Sequence, residues 1–235
     1  TGPEEVRRTT QAFNRMQQRI RAFLEDRMRM LAAISHDLRT PLTALRLRAE
    51  MVDDAETREK MLGTLKELEQ ITEATLAFAR EESSQEETRT VDLAALVESI
   101  ASDYADLGQP VAYSGPERFP LACRPTSLRR ALRNLVDNAL AYGGNARLIL
   151  DTGRHGGTRS LHILVEDDGP GIPEDQQERI FEPFVRLEKS RSRETGGIGL
   201  GMAIARTIVR GHGGDVRVEN RAEGGLRVEI ALPRP

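Results

Sequence analysis

The segment SHDLRTPLT, Ser35 to Thr43, places His36 beside Asp37 and puts Thr40 four residues after the histidine. On an α-helix His36 and Thr40 then share one face. A neutral imidazole can attack phosphorus when a carboxylate holds or removes the proton on its other ring nitrogen, so the pattern suits a phosphate-accepting nucleophile. A lone helical histidine is also compatible with a structural role, and the rest of the chain has to decide.

The glycines supply a second candidate chemistry. Sixteen of the twenty lie from Gly143 onward, and two groups of them are organised. After the apolar run LHILVE comes Asp167-Asp168-Gly169-Pro170-Gly171, and further on Gly196-Gly197-Ile198-Gly199-Leu200-Gly201 opens a helical pattern. Glycine lets backbone N–H groups approach an anion closely, and a helix N-terminus adds a favourable dipole, so the second group suits phosphate. Neither has Walker A spacing, and no G-x-G-x-x-G follows a strand, which disfavours the two commonest nucleotide folds. Each group alone reads equally as a turn. Between Arg129 and Tyr142, however, Asn134 and Asn138 stand four residues apart among Leu135, Val136, Ala139 and Leu140. Asparagine suits helix interiors poorly, and a side-chain carbonyl that coordinates Mg²⁺ would explain it; facing water is the alternative.

The elements that must carry these residues are legible in the periodicity. Val6, Phe13 and Ile20 recur every seven positions, with Thr9, Met16 and Phe23 between them, as in a coiled-coil seam. The pattern drifts through Ile34, Leu38, Leu42 and Leu45 and stays helical to Met51. Val52 to Thr57, VDDAET, reads as a turn, and Met61, Leu62, Leu65, Leu68, Ile71 and Phe78 mark a second helix. Two long helices joined tightly form an antiparallel hairpin. Each carries an apolar stripe, so dimerisation into a four-helix bundle is expected, with a monomeric hairpin packed on the rest of the chain as the alternative. Pro41 lacks the N–H that would bond the Asp37 carbonyl. Because Leu38, Leu42 and Leu45 continue the stripe across it, a kink is preferred to a new helix capped by Thr40.

Glu81 to Thr90 is polar and aperiodic and reads as a linker. Beyond it, a strand residue or two and a helix occupy Val91 to Leu107, a hairpin Pro110 to Cys123, and a helix Thr126 to Tyr142. Strands follow at Ala146 to Asp151 and Leu161 to Glu166. A helix from Gly201 to Gly211 and a closing hairpin at Val216 to Glu219 and Leu226 to Leu232 complete the pattern. That mixture predicts an α+β sandwich with helices on one face of a mostly antiparallel sheet.

Composition bounds the rest. The chain has 235 residues, 38% of them hydrophobic and 30% charged, with 34 basic against 37 acidic side chains. A net charge of −3 gives no sign of a nucleic-acid surface. The single Cys123 excludes an internal disulfide and reads as a small core residue. No run of about eighteen apolar residues suggests a membrane span, so a soluble, cytosolic fragment of something longer is expected.

In order along the chain, His36 in SHDLRTPLT, Asn134 and Asn138 in NLVDNALAY, DDGPG from Asp167, FEPF from Phe181 and GGIGLG resemble the H, N, G1, F and G2 boxes of sensor histidine kinases. The opening helix resembles the end of a HAMP signalling module. The resemblance implies four segments: 1–22, the end of a HAMP helix; 23–82, a dimerisation and histidine phosphotransfer domain; 83–90, a linker; and 91–235, a GHKL (Bergerat) ATP-binding α/β sandwich. It implies ATP and Mg²⁺, Asp167 as reader of the adenine amine, Asn138 as magnesium ligand, and Asn134, Tyr142, Gly169 and Gly171 beside the nucleotide. Gly197, Ile198, Gly199, Leu200 and Gly201 would border the phosphates, with Arg186 at the base of a basic lid that runs from Pro183 to Thr195.

The implied reaction is phosphorylation of His36 with Asp37 assisting, followed by transfer to an aspartate of a response regulator. Thr40 would position water for dephosphorylation of that regulator. The implied partners are a second copy of the chain and the regulator, with no nucleic acid. A membrane-spanning sensor region would lie upstream, placing the full-length protein at the cytoplasmic side of the bacterial inner membrane. Two positions depart from the pattern: Ala141 stands where a basic residue is common near the phosphates, and Ile198 where threonine or serine is frequent. The rivals are a conformational ATPase of the chaperone or mismatch-repair kind, which gives His36 no role, and an ATP-binding scaffold or phosphatase-only regulator with weak kinase activity.

Overall fold

The computed structural model describes residues 4–82, 86–151, 154–155, 158–159, 161–185 and 199–233. The chain divides into two compact units, Thr1–Ser84 and Gln85–Pro235.

The first unit is a helical hairpin, α1 (Glu4–Glu50) and α2 (Ala55–Glu82). Pro41 lies inside α1, which continues through it, so no second helix starts there. The turn is shorter than the acidic segment suggested: Ala55 to Thr57 already belong to α2. Asp54 is the reason. Its carboxylate accepts from the Thr57 amide at 2.8 Å and its carbonyl from Arg58 N at 2.9 Å, which is N-cap geometry. The Thr57 side chain, then its amide, hold the Asp54 carboxyl below its usual range. Ala49 and Leu65 are buried in the hairpin, whereas Phe13, Met16, Ile34, Leu38 and Leu45 on α1 remain exposed.

The second unit has β1 (Arg89–Asp92), α3 (Leu93–Asp106), β2 (Val111–Ser114), β3 (Pro120–Cys123), α4 (Pro125–Gly143), β4 (Ala146–Asp151), β5 (Arg154–His155), β6 (Thr158–Arg159), β7 (Leu161–Glu166), α5 (Gly201–Gly211), β8 (Asp215–Asn220) and β9 (Leu226–Leu232). The main sheet runs β2-β4-β7-β9-β8, with β2 parallel to β4 and the other pairs antiparallel. Alternation puts Leu161, Ile163 and Val165 of β7 and Val228, Ile230 and Leu232 of β9 into the core, while Glu166 and Glu229 take the opposite parity. Against the apolar side lie Leu93, Val97 and Ile100 of α3, Leu128, Leu132 and Leu135 of α4, and Ile204 and Ile208 of α5. All are buried at the helical spacing of three or four residues.

Pro110 to Cys123 is not a hairpin. The SGPER stretch turns as its residues suggest, but its two flanks have different partners: β2 pairs with β4, and β3 pairs antiparallel with β1. Asp92 directs the split, because its carboxylate accepts from Phe119 N at 2.9 Å while also capping α3. The expected linker 83–90 overlaps this second unit. Glu86 accepts from Thr126 N and Ser127 N, both at 2.8 Å, and β1 begins at Arg89. A carboxylate at the first turn of α4 satisfies donors that Arg124, the N-cap residue, leaves without a side-chain partner.

Candidate functional site

Three ends of secondary structure converge on the candidate nucleotide site. The first is the C-terminal half of α4, whose packing against α5 carries Asn134 and Asn138 toward the start of that helix. A Cβ placed on Gly201, the first residue of α5, would lie 3.4 Å from the Asn138 side-chain amide and 3.7 Å from the Asn134 carbonyl oxygen. Leu200, the N-cap residue, is buried and offers no side-chain cap. The opening amides of α5 therefore remain available to an anion beside Asn138. The Asn134 Nδ2 atom is buried and has no hydrogen-bond partner among the described residues.

The second end is the turn after β7. Asp167 is 5% exposed, and its Oδ1 accepts from Gly169 N at 2.8 Å and Leu226 N at 3.2 Å. Burial raises its carboxyl above the usual range, against the pull of those two amides. The last turn of α4 lies directly against it: a Cβ on Gly143 would stand 2.5 Å from the Asp167 Cβ, and one on Gly169 would stand 2.9 Å from the Tyr142 carbonyl oxygen. Tyr142, Gly169 and Asp167 thus form one wall, with the Tyr142 side chain partly exposed. Gly171 packs on Asn220, which accepts from Ile172 N and donates back to Ile172 O, both at 2.8 Å.

The third end is the FEPF segment. Phe184 N donates to Gly199 O at 2.9 Å, closing the two described ends of the stretch between them. Arg206 of α5 braces this base: its guanidinium sits 4.5 Å from the Phe181 ring centroid and donates to Glu178 at 2.5 Å. Arg186, Gly197 and Ile198 lie outside the described residues.

His36 lies on the backbone of α1 and its side chain is outside the described ones; Asp37 and Thr40 are exposed on the same helix. In the second unit the structure brings Asn134 and Asn138 together with Gly201, which Leu200 precedes as N-cap, where α4 packs on the start of α5, and Tyr142, Asp167 and Gly169 together at the C-terminal end of α4. Uncapped helix amides beside a side-chain amide, and a buried carboxylate at the far end of α4, are therefore present in this unit.

Residues 123–235 match the family described as histidine kinase-, DNA gyrase B-, and HSP90-like ATPase, and residues 26–84 match the His Kinase A (phospho-acceptor) domain. The chain belongs to the sensor histidine kinases. Among curated relatives, it is 43% identical to the sensor histidine kinase GtrS of Pseudomonas aeruginosa over 99% of this chain and 47% of that protein. It is 34% identical to the sensor histidine kinase CpxA of Escherichia coli K12 over 99% of this chain and 52% of that protein. The chain spans about half the length of these relatives. The crystal structure of full-length ShkA in complex with AMPPNP covers 87% of this chain and 45% of its own, with TM-score 0.64 and 27% identity. The ATP-binding domain of PrrB from Mycobacterium tuberculosis covers 63% of this chain and 98% of its own, with TM-score 0.51 and 27% identity. No helix among the described residues of this histidine kinase chain is long and apolar enough to cross a membrane.

Sequence reasoning missed Asn220, Arg221 and Gly225 in this kinase fold. Arg221 donates to the Asp167 carbonyl at 2.9 Å, and Gly225 abuts the same carbonyl. Only the GG pair before Leu226 hinted at them, as a turn.

Proposed function

We propose that the chain is the catalytic core of a two-component sensor kinase that phosphorylates His36 from ATP and passes the phosphoryl group to an aspartate of a response regulator. The observation that carries this reading is the juxtaposition of Asn138 with the uncapped start of α5, opposite the buried Asp167, in a chain that also holds a phospho-acceptor domain. Asp167 would accept a hydrogen bond from the adenine amine. The α5 amides and the segment 197–201 would border the phosphates, and Arg186 would stabilise charge on the transferring group. Asn138 offers the oxygen that magnesium prefers, and the ion would neutralise phosphate charge when bound.

In the transfer, the Nε2 lone pair of His36 forms the new bond to the γ-phosphorus, the bond to the β,γ-bridging oxygen breaks, and ADP leaves. Asp37 holds or takes the proton on Nδ1, which raises the nucleophilicity of Nε2. Thr40, one turn on, would position water to hydrolyse the regulator's phosphoaspartate. The exposed stripe through Phe13, Ile34, Leu38 and Leu45 supports a homodimer, since an apolar face of this length is covered when two hairpins form a bundle. Residues 1–22 would continue a HAMP helix toward a membrane-bound sensor, which places the full-length protein on the cytoplasmic side of the bacterial inner membrane.

The test is incubation of the chain with γ-labelled ATP and Mg²⁺ beside a His36→Gln variant. Acid-labile, base-stable label that is absent from the variant is expected. Nucleotide binding without label would favour the second reading, an ATP-binding scaffold or phosphatase-only regulator, for which Ala141 is the supporting observation.

A further inference from the structure

The outer face of the sheet behind the nucleotide site carries an arginine cluster to which the proposed phosphotransfer assigns no role. Strand alternation sends the side chains of Glu166 and Asp168 to one side of β7 and its continuation, and that of Asp167 to the other. Arg221 grips this outer side. Its Nη1 donates to the Asp167 carbonyl at 2.9 Å and to Asp168 Oδ1 at 2.8 Å, and its Nε lies 3.6 Å from Glu166 Oε2. The Arg221 side chain is 13% exposed and Glu166 is 7% exposed, so that pair is shielded from solvent, whereas Asp168 meets Arg221 at the surface. Arg147 supports the same loop bidentately, with Nη2 and Nη1 at 2.7 and 3.1 Å from the two Asp168 oxygens. Asn145 closes the set by accepting from Asp168 N at 3.1 Å. Bonds from Arg147, then Asn145 and Arg221, hold the Asp168 carboxyl well below the usual range, so it stays charged against the arginines.

These contacts fix the residue between them. With Glu166 and Asp168 held on the outside and the Asp167 carbonyl held by Arg221, the Asp167 carboxylate has one direction left, toward Gly143 and the last turn of α4. Among the described residues both bonds to that carboxylate fall on Oδ1, which leaves Oδ2 to a ligand. A carboxylate oxygen discriminates between purines only if it is held in place: adenine offers it an amine donor, whereas guanine presents a carbonyl acceptor.

We propose that Arg221, supported by Arg147, is a positioning residue for base selection, which sets the preference for ATP over GTP by orienting Asp167 from behind the sheet. This rests on the reading of Asp167 as the adenine reader. Arg221 contacts no nucleotide itself.

The experiment measures ATP and GTP dissociation constants for the whole chain and for Arg221→Gln, Arg221→Lys, Asp168→Asn, the Arg221→Gln/Asp168→Asn double variant and Asp167→Asn, each checked by thermal melting. Arg221→Gln is expected to weaken ATP by about tenfold, the size of one charge-assisted hydrogen bond, while GTP changes by less than about twofold. Arg221→Lys keeps the charge without the fork and should give an intermediate ratio; it carries the test if Arg221→Gln does not fold. The double variant should lose less than the sum of its parts, because the two residues act through one contact. Loss of the ATP preference in Asp167→Asn with the wild-type ratio kept in Arg221→Gln, or in Arg221→Lys where that variant carries the test, would overturn this inference alone. An unchanged ratio in Asp167→Asn would overturn the adenine reading itself. Equal weakening of both nucleotides by the Arg221 variant would make the residue structural only and would also overturn the proposal.

Discussion

Gly225 and Asp167 meet through their backbones. A Cβ at position 225 would overlap the Asp167 carbonyl oxygen and come within 2.9 Å of its carbon, and Gly225 has φ +91°, where L side chains are strained. The neighbouring Leu226 amide donates to the Asp167 carboxylate at 3.2 Å, which ties the turn before β9 to the loop after β7. Gly225→Ala is therefore expected to destabilise the second unit by about 1–3 kcal/mol and to weaken ATP. Chemical denaturation and an ATP titration check it; a variant with wild-type stability and affinity would show that the turn yields without disturbing Asp167.

The Asp167 carboxyl gives a pH dependence with a definite sign. Burial raises its pKa in the folded protein above the ordinary carboxylate value, so its ionisation opposes folding: that contribution is favourable at low pH and is lost as pH rises through the raised value. A bound adenine amine prefers the ionised oxygen. ATP affinity should consequently fall as pH drops through the raised pKa, and binding in that window should release a proton. Calorimetry in buffers of different ionisation enthalpy reads this directly, and proton uptake would contradict it.

Glu86 is expected to stabilise the second unit by capping α4. Burial pushes its carboxyl up, but the Thr126 and Ser127 amides and side chains outweigh that and lower it from 4.5 to about 2. Its folded pKa is depressed, so the stabilisation is complete above the unfolded value and is lost as pH falls through about 2. Glu86→Ala should cost about 1 kcal/mol near neutral pH, the usual worth of a helix cap. The difference between wild type and variant should shrink as the pH is lowered below the unfolded value; a difference independent of pH would argue that packing, not the charge, is responsible.

Thr40 separates the two activities proposed for the first unit. It stands one helical turn from His36 and is exposed. Thr40→Ala should keep autophosphorylation within about twofold while regulator dephosphorylation falls by about 10²-fold, the scale of a lost water-positioning group. Loss of label from γ-labelled ATP in the variant, or retention of full phosphatase activity, would remove that assignment.

Periodicity determined β4, β7 and α5 to the residue, together with the hairpin of long helices, and the order of the nucleotide segments came from their resemblance to the boxes of sensor histidine kinases. These are local properties: a 2.0 or 3.6 repeat with its flanking glycines is written within one stretch of chain. Strand partnership is not local. Val111 pairs with Ala146 and Asp92 with Pro120, so two adjacent strands that read as a hairpin belong to different sheets. The residues that hold the candidate site from behind were illegible for the same reason: Arg221 reaches a carbonyl 54 residues away, and Leu226 a carboxylate 59 residues away. Their types suit any surface turn. Only the register of β7 against β9, which brings Glu166 opposite Arg227 and seats the β8–β9 turn on Asp167, gives Arg221 and Gly225 a task.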